Sequence, residues 1–167
     1  RILAHFSKKT PNGIYEYDLV VSVPSNESCV FLPFDVPVIT KVSVKTTDVV
    51  TGQMQVEWIK PRTGGTNLDT VLNPPPYRFD LYRSNGFNFS NATLINSVTR
   101  PAFYLLNDTT FTDTNLNTQA NPYSYKVAFY SQTDSIGETN LASSVYLSVA
   151  PTDQTLKLSW DYKTPWL

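Results

Sequence analysis

Histidine, cysteine and methionine are almost missing from this chain, each occurring once in 167 residues. His5 is the sole histidine, so a Ser-His-Asp triad, a Cys-His pair or a histidine-bearing metal site is excluded from the long stretch beyond it. Cys29 stands in the polar run Ser25-Asn26-Glu27-Ser28-Cys29. It reads either as a lone thiol without a role or as half of a disulfide whose partner lies outside this chain. Charge is also scarce. Only 16% of residues are charged, and 13 basic against 14 acidic side chains leave a net charge of -1. No basic field exists to hold nucleic acid or an anionic membrane. A run of about 18 apolar residues is absent, so no membrane insertion is expected, and no signal peptide precedes the first strand pattern. The chain opens on Arg1, which reads as a fragment. No glycine-rich loop of the Walker or dinucleotide type occurs, and no cofactor is expected.

What is abundant is strand and turn material. Hydrophobic residues make up 41% and aromatics 13%, and much of the remainder is Thr, Ser, Asn and Pro. Gln53-Met54-Gln55-Val56-Glu57-Trp58 alternates polar and apolar with period two. Arg78 to Arg83, Ser124 to Tyr130 and Ser143 to Val149 follow the same rule. Alternation over runs this short predicts half-buried strands. Turn chemistry separates them at Thr51-Gly52, Gly64-Gly65, Pro74-Pro75-Pro76, Asn85-Gly86, Asn121-Pro122 and Ile136-Gly137. No window carries a helical stripe capped at both ends. The expected class is all-β, and a sandwich buries two amphipathic sheets most simply.

An internal repeat sets the domain organisation. Met54, Val56 and Trp58 match Leu156, Leu158 and Trp160, and a proline follows each set, Pro61 and Pro165. Arg1 to Ser7 matches Lys126 to Ser131 with one inserted residue. Each of these is followed by a polar loop holding Gly13 or Gly137 and then Glu16 or Glu138. A hydrophobic strand comes next, Leu19 to Val23 or Val145 to Val149. Residues 1–36 are therefore expected to be the last strands of a preceding module plus a linker. Residues 37–150 form a complete module, and 151–167 the first strands of a following one. Ile2, Leu3, Phe6, Leu156, Leu158 and Trp160 are expected to lack their own sheets.

The central stretch resembles a fibronectin type III domain. The resemblance rests on strand B, Gln53 to Ile59, with Trp58 and the following Pro61, and on strand C, Tyr77 to Ser84. It also rests on Leu116, followed by a turn and Tyr123-Ser-Tyr125-Lys-Val127. It implies an immunoglobulin-like antiparallel β-sandwich in which Trp58, Leu116 and Tyr123 belong to the structural core. In that family pattern Leu116 plugs the core, and a tyrosine hydroxyl ties the crossover before strand F to backbone. Tyr123 is the first candidate for this tie and Tyr125 the second. The segment from Pro61 to Pro76 is longer than the pattern, as is the interval from Leu116 to Tyr123.

A narrower likeness runs through Pro76 to Ser84, Thr110 to Leu116, Pro122 to Val127 and Ala142 to Leu147. These stretches look like modules of large Bacteroidota surface proteins that carry gliding-motility-associated or type IX secretion sorting regions. The resemblance implies an exported, extracellular or cell-surface protein. Its module would be a non-catalytic spacer, with adhesion as a further role. The implied partners are neighbouring modules of the same chain and a surface polysaccharide or protein.

Few residues point to chemistry. Asp69, Asp108 and Asp113 are the candidate calcium ligands, but no run has the dense acidic spacing of a dedicated calcium loop, and no metal site is expected. No carboxylate pair stands out as a glycosidase pair. Pro74-Pro75-Pro76-Tyr77 spells a ligand for WW-type domains, and abutting a strand it reads better as a stiff lead-in. Asn26, Asn88, Asn91 and Asn107 open glycosylation sequons in a chain rich in Asn, Ser and Thr. Trp58 shares its alternation phase with Met54 and Val56, which makes it core rather than a sugar platform. Burying such side chains is worth roughly 1.5–3 kcal/mol each. The ligand-binding candidates are the loop aromatics Phe87 and Phe89, after strand C, and Phe103 and Tyr104, before the stretch Thr110 to Leu116. Aromatic loop residues offer large contact area at low entropy cost. The chain is not expected to be an enzyme.

Overall fold

The computed structural model describes residues 5–9, 12, 15–21, 36–61 and 68–164. The chain divides into two compact units, 1–32 and 33–167. Ile2, Leu3 and Cys29 lie outside the described residues. In the first unit, β1 (His5–Lys9) pairs antiparallel with β2 (Tyr15–Val21), with Lys9 opposite Tyr15 and His5 opposite Val21.

The second unit is an antiparallel β-sandwich. One sheet is built from β3 (Val38–Thr46), β4 (Gly52–Ile59) and, beyond the strands of the other sheet in sequence, β7 (Thr110–Leu116), in the order β3-β4-β7. The other contains β5 (Tyr77–Asn85), β6 (Thr93–Arg100), β8 (Tyr123–Ser131), β9 (Asp134–Glu138) and β10 (Ala142–Ser143). Its order is β10-β8-β5-β6, with β9 also paired to β8. A single 3-10 turn, Phe103–Leu105, lies between β6 and β7, and no α-helix occurs among the described residues.

Period-two alternation drives the closure. On β4, Gly52, Met54, Val56 and Trp58 are buried while Gln53, Gln55 and Glu57 are only half-buried. Tyr77, Phe79 and Leu81 on β5 and Tyr123, Tyr125, Val127 and Phe129 on β8 meet them from the facing sheet. The Trp58 ring stands edge-on to Phe79 at 6.0 Å, and Phe79 lies 5.5 Å from Phe129. Such ring pairs add about 0.5–1.5 kcal/mol each beyond the burial of their area. Phe103 closes one end of this core, 5.4 Å from Tyr77.

β7 carries a phase change. Phe111 and Asp113 take the inward phase, and strict alternation would then turn Asn115 inward. Asn115 instead adopts φ 59°, a left-handed conformation that asparagine tolerates better than most residues, and Leu116 becomes the buried residue. The pairing with β4 slips at the same place, between Gly52 and Met54.

Two stretches fold differently from the sequence expectation. The stretch after Ser131, read as a polar loop holding Gly137 and Glu138 with a turn at Ile136-Gly137, contains β9, and the turn is the two-residue Gln132-Thr133. Backbone pairing with β8 holds β9, since its residues are exposed or half-buried and give no apolar alternation. Gly137 has φ 157°, and the Val36 side chain occupies the space where a Cβ would stand. The run Ser143 to Val149, read as one strand, is divided. Ala142–Ser143 pairs with β8, whereas β11 (Tyr146–Thr152) pairs with β12 (Thr155–Asp161) in a separate hairpin. This hairpin straddles position 150.

Gly52 reports on how tightly the sandwich is closed. A Cβ there would stand 2.5 Å from the Leu116 carbonyl oxygen and closer still to the Thr118 hydroxyl. That hydroxyl donates to the Thr46 carbonyl at 2.8 Å and accepts from Asp48 N–H at 3.1 Å. Backbone cannot yield as a flexible side chain does. Gly52→Ala is therefore expected to lower the unfolding free energy by roughly 1–3 kcal/mol, as measured by urea denaturation. An unchanged midpoint would refute the close approach.

Candidate functional site

The strands place one ionisable cluster inside the sandwich. Arg83 continues the inward phase of Tyr77, Phe79 and Leu81 on β5, and its register partner on β8 is Tyr125. Both reach across to Asp113 on β7. One terminal nitrogen of Arg83 donates to both carboxylate oxygens of Asp113 at 3.0 Å, and the Tyr125 hydroxyl donates to Oδ2 at 3.0 Å. Asp113 is 6% exposed. A buried carboxylate is costly unless its lone pairs are met, and here three hydrogen-bond contacts from the facing sheet meet them. Burial first, then the charge of Asp113 and its hydrogen bond, push the Tyr125 phenol far above its ordinary value of 10.0. Burial alone raises Tyr77, whose hydroxyl donates to the Asn73 carbonyl at 2.7 Å.

A second cluster lies on the outer face of the five-stranded sheet. Asp80 is buried there although it points away from the core. Ser97 donates to it at 2.6 Å and Arg78 Nε at 3.1 Å, and the Arg78 guanidinium stacks 4.2 Å over the Tyr130 ring. Burial first, then the neighbouring Tyr130 hydroxyl and the Asp80 charge, raise the Tyr82 phenol. Two half-buried tyrosines, a guanidinium and a carboxylate thus share one sheet face. Sequence reading passed over it, although the outward phase of Arg78, Asp80 and Tyr82 was visible in the alternation.

The sequence-derived candidates are dispersed. Phe103 is buried in the core, and its neighbour Tyr104 is 74% exposed. Phe87 and Phe89 are half-buried in the β5–β6 loop, with Lys126 Nζ 5.1 Å from the Phe89 ring. That loop is fastened down, since Gly86 N–H donates to the Pro122 carbonyl at 2.8 Å and the Ser84 hydroxyl to the Asn88 carbonyl at 2.6 Å. The two aromatic pairs sit at opposite ends of β5, a strand of nine residues that spans roughly 30 Å, so they form no common surface. Trp58 and Leu116 lie in the core. The Tyr123 hydroxyl accepts from Asn117 N–H at 3.1 Å in the β7–β8 crossover, whereas Tyr125 turns to Asp113.

The aspartates proposed for calcium are also apart. Asp69 accepts from the N–H groups of Val71 and Leu72 in its own turn, Asp108 pairs with Arg100 at 2.7 Å, and Asp113 holds Arg83. Among the described residues, no group of three or more His, Cys, Asp or Glu side chains is placed to hold a metal ion.

A shallow cleft of about 270 Å³ lies where β4 ends, lined by Trp58, Ile59, Lys60, Asn107 and Thr109. Lys60 Nζ donates to Asn107 Oδ1 at 3.0 Å and to the Phe103 carbonyl at 3.3 Å. The buried Trp58 Nε1 has no hydrogen-bond partner. The cleft lining combines a cation and hydrogen-bond donors with no carboxylate, a set suited to holding an acceptor group rather than relaying a proton. Neither a protein-family model nor a curated protein sequence matches this chain.

The tyrosine shifts generate a pH dependence. Tyr125, Tyr77 and Tyr82 all have folded values raised above the unfolded value of 10.0. The stability each lends is complete below that pH and is lost as pH rises through the folded value. Unfolding free energy is expected to fall above pH 10, by about 1.4 kcal/mol per pH unit for Tyr125, which stays neutral in the fold. Tyr125→Phe should cost about 1–2 kcal/mol at pH 7 and make the alkaline decline shallower by one tyrosine's share. Denaturation at a series of pH values checks this. A decline as steep in the variant would overturn the assignment.

Proposed function

We propose that this protein is a non-catalytic spacer in a multidomain secreted or cell-surface protein, built from fibronectin type III-like modules and presenting neighbouring domains. The observation that carries the reading is repetition. A sandwich whose last sheet pairing is Ala142–Ser143 with β8 is followed after two residues by a second hairpin patterned like its own β3–β4. Modules joined this closely transmit position along a chain. The strand orders β3-β4-β7 and β10-β8-β5-β6 support the family resemblance, since they match an A-B-E sheet facing a G-F-C-C′ sheet. The Tyr123 tie to the crossover backbone supports it further.

A non-catalytic role is supported by how the buried carboxylates are used. Asp80 and Asp113 are both held by arginines within the fold. Export is supported by the likeness to sorted surface proteins.

Adhesion to a surface polysaccharide is a second reading, and one feature favours it. Tyr82, Tyr130 and Arg78 present aromatic and hydrogen-bonding groups together on a sheet face, the combination that stacks on and bonds to sugar rings.

Both readings are testable on the purified chain. Assays on polysaccharide and protein substrates are expected to show no turnover. Turnover abolished by Asp80→Asn or Asp113→Asn, in variants that keep the wild-type far-ultraviolet spectrum and Tm, would sink the spacer reading. If a glycan array detects binding, Tyr82→Ala with Tyr130→Ala is expected to weaken it at least tenfold, and Phe87→Ala with Phe89→Ala to leave it unchanged. The reverse pattern would move the contact to the β5–β6 loop.

A further inference from the structure

The β11–β12 hairpin repeats the β3–β4 pairing of apolar partners, without the bulges that β3 carries between Ile39 and Lys41 and between Val44 and Thr46. In β3–β4, Ile39 stands opposite Trp58, Val42 opposite Val56 and Val44 opposite Met54. In β11–β12, Leu147 stands opposite Trp160, Val149 opposite Leu158 and Pro151 opposite Leu156. Cross-strand partners share a face, and residues two apart on a strand return to it. Leu147, Val149, Leu156, Leu158 and Trp160 therefore make one apolar face, with Lys157, Ser159 and Asp161 on the other.

The two faces differ in what covers them. Met54 and Val56 are 0% exposed and Trp58 3%, beneath Phe79 and the rest of the β5–β8 sheet. Leu156, Leu158 and Trp160 are 68%, 53% and 61% exposed. An isolated two-stranded hairpin is at best marginally stable in water, and an apolar face this contiguous marks an interaction surface. The hairpin base is nevertheless tied to the sandwich. Ser143 N–H donates to the Lys163 carbonyl at 2.8 Å, and Lys163 N–H donates to the Ser143 hydroxyl at 2.7 Å. One main-chain bond and one bond to the Ser143 hydroxyl thus tie the edge strand β10 to the base of the hairpin, and the open face adjoins that joint.

We propose that the Leu147, Val149, Leu156, Leu158 and Trp160 face receives the inner face of a second sheet of the β5–β8 kind, provided by the same polypeptide in the order that β5 follows β4. The hairpin then opens a second sandwich, with Trp160 meeting an aromatic ring as Trp58 meets Phe79. Ser143 and Lys163 clamp the joint between the two bodies. The proposal rests on the repeat reading above, and it adds the occupant of the face and the residues that receive it.

The test supplies the missing sheet. Trp160-Asp161-Tyr162-Lys163 aligns with Trp58-Ile59-Lys60-Pro61, so residues 62–144 are appended after Lys163 of the full preceding chain, which keeps the Ser143–Lys163 clamp. In a control fusion residues 36–144 are appended instead, so that the added sheet arrives with its own β3–β4. Hydrogen exchange is followed by mass spectrometry in peptides from 146–161, whose sequence is unique in both fusions. Exchange in the first fusion is expected to slow about 100-fold against the unfused chain, to stay fast in the control, and to return to fast with Leu158→Asp. An unprotected hairpin in the first fusion would overturn the proposal. So would failure of the appended 62–144 to fold while the control folds, because the same segment folds on β3–β4. Self-association of the unfused chain that Leu158→Asp abolishes would assign the face to a second copy instead. Turnover assays read the spacer role independently of all these outcomes.

Discussion

Asp113 is the point on which the two sheets agree. Apolar faces attract without direction, and a sandwich held by them alone has several offsets of similar energy. The carboxylate on β7 removes that freedom. It must find charge and hydrogen bonds or carry the several-kcal/mol cost of a buried ion, and Arg83 and Tyr125 provide both from adjacent positions of the facing sheet. Only one offset brings that pair over Asp113. The left-handed Asn115 then shifts the phase of β7, so that Leu116 can fill the core one step beyond.

Packing and backbone ties complete what that contact orients. The aromatic cluster of Trp58, Tyr77, Phe79, Phe103 and Phe129 fills the middle and one end of the sandwich. At the other end, Thr118 bridges the β3–β4 loop and Tyr123 holds the β7–β8 crossover. The polar side chains that sequence reading set aside as calcium candidates are spent on such ties. This explains why Asp69, Asp108 and Asp113, similar as letters, have three different local roles.

For the proposed spacer role, the junctions matter as much as the body. Ser144 and Val145 are all that separates β10 from β11, and the Ser143–Lys163 bonds brace that short link. A joint braced by one main-chain bond and one bond to the Ser143 hydroxyl is stiffer than a glycine- or serine-rich linker of the same length. The two aromatic-loop pairs named as ligand-binding candidates lie at opposite ends of the body. The aromatic residues that do share a face, Tyr82 and Tyr130, come from neighbouring strands.

By itself, the sequence determined the all-β class, the strands β4, β5 and β8 and the burial of Trp58, whereas Leu116 and Tyr123 entered the expected core only through the family resemblance. Alternating apolar side chains and turn residues are local signals. It also announced the Met54/Val56/Trp58 repeat in Leu156, Leu158 and Trp160, because a repeated face is written in the letters. Only the tertiary structure decided that residues 134–138 are a strand, since backbone pairing with β8 forms it and Val36 makes Gly137 necessary. Only it decided that Ser143 to Val149 serves two sheets, because period-two alternation says which face a residue takes and never which strand lies beside it. The roles of Arg83, Asp113 and Tyr125 were settled there too. Each is unremarkable in its own strand, and the energy of the cluster exists only where two sheets bring the three side chains within hydrogen-bonding distance.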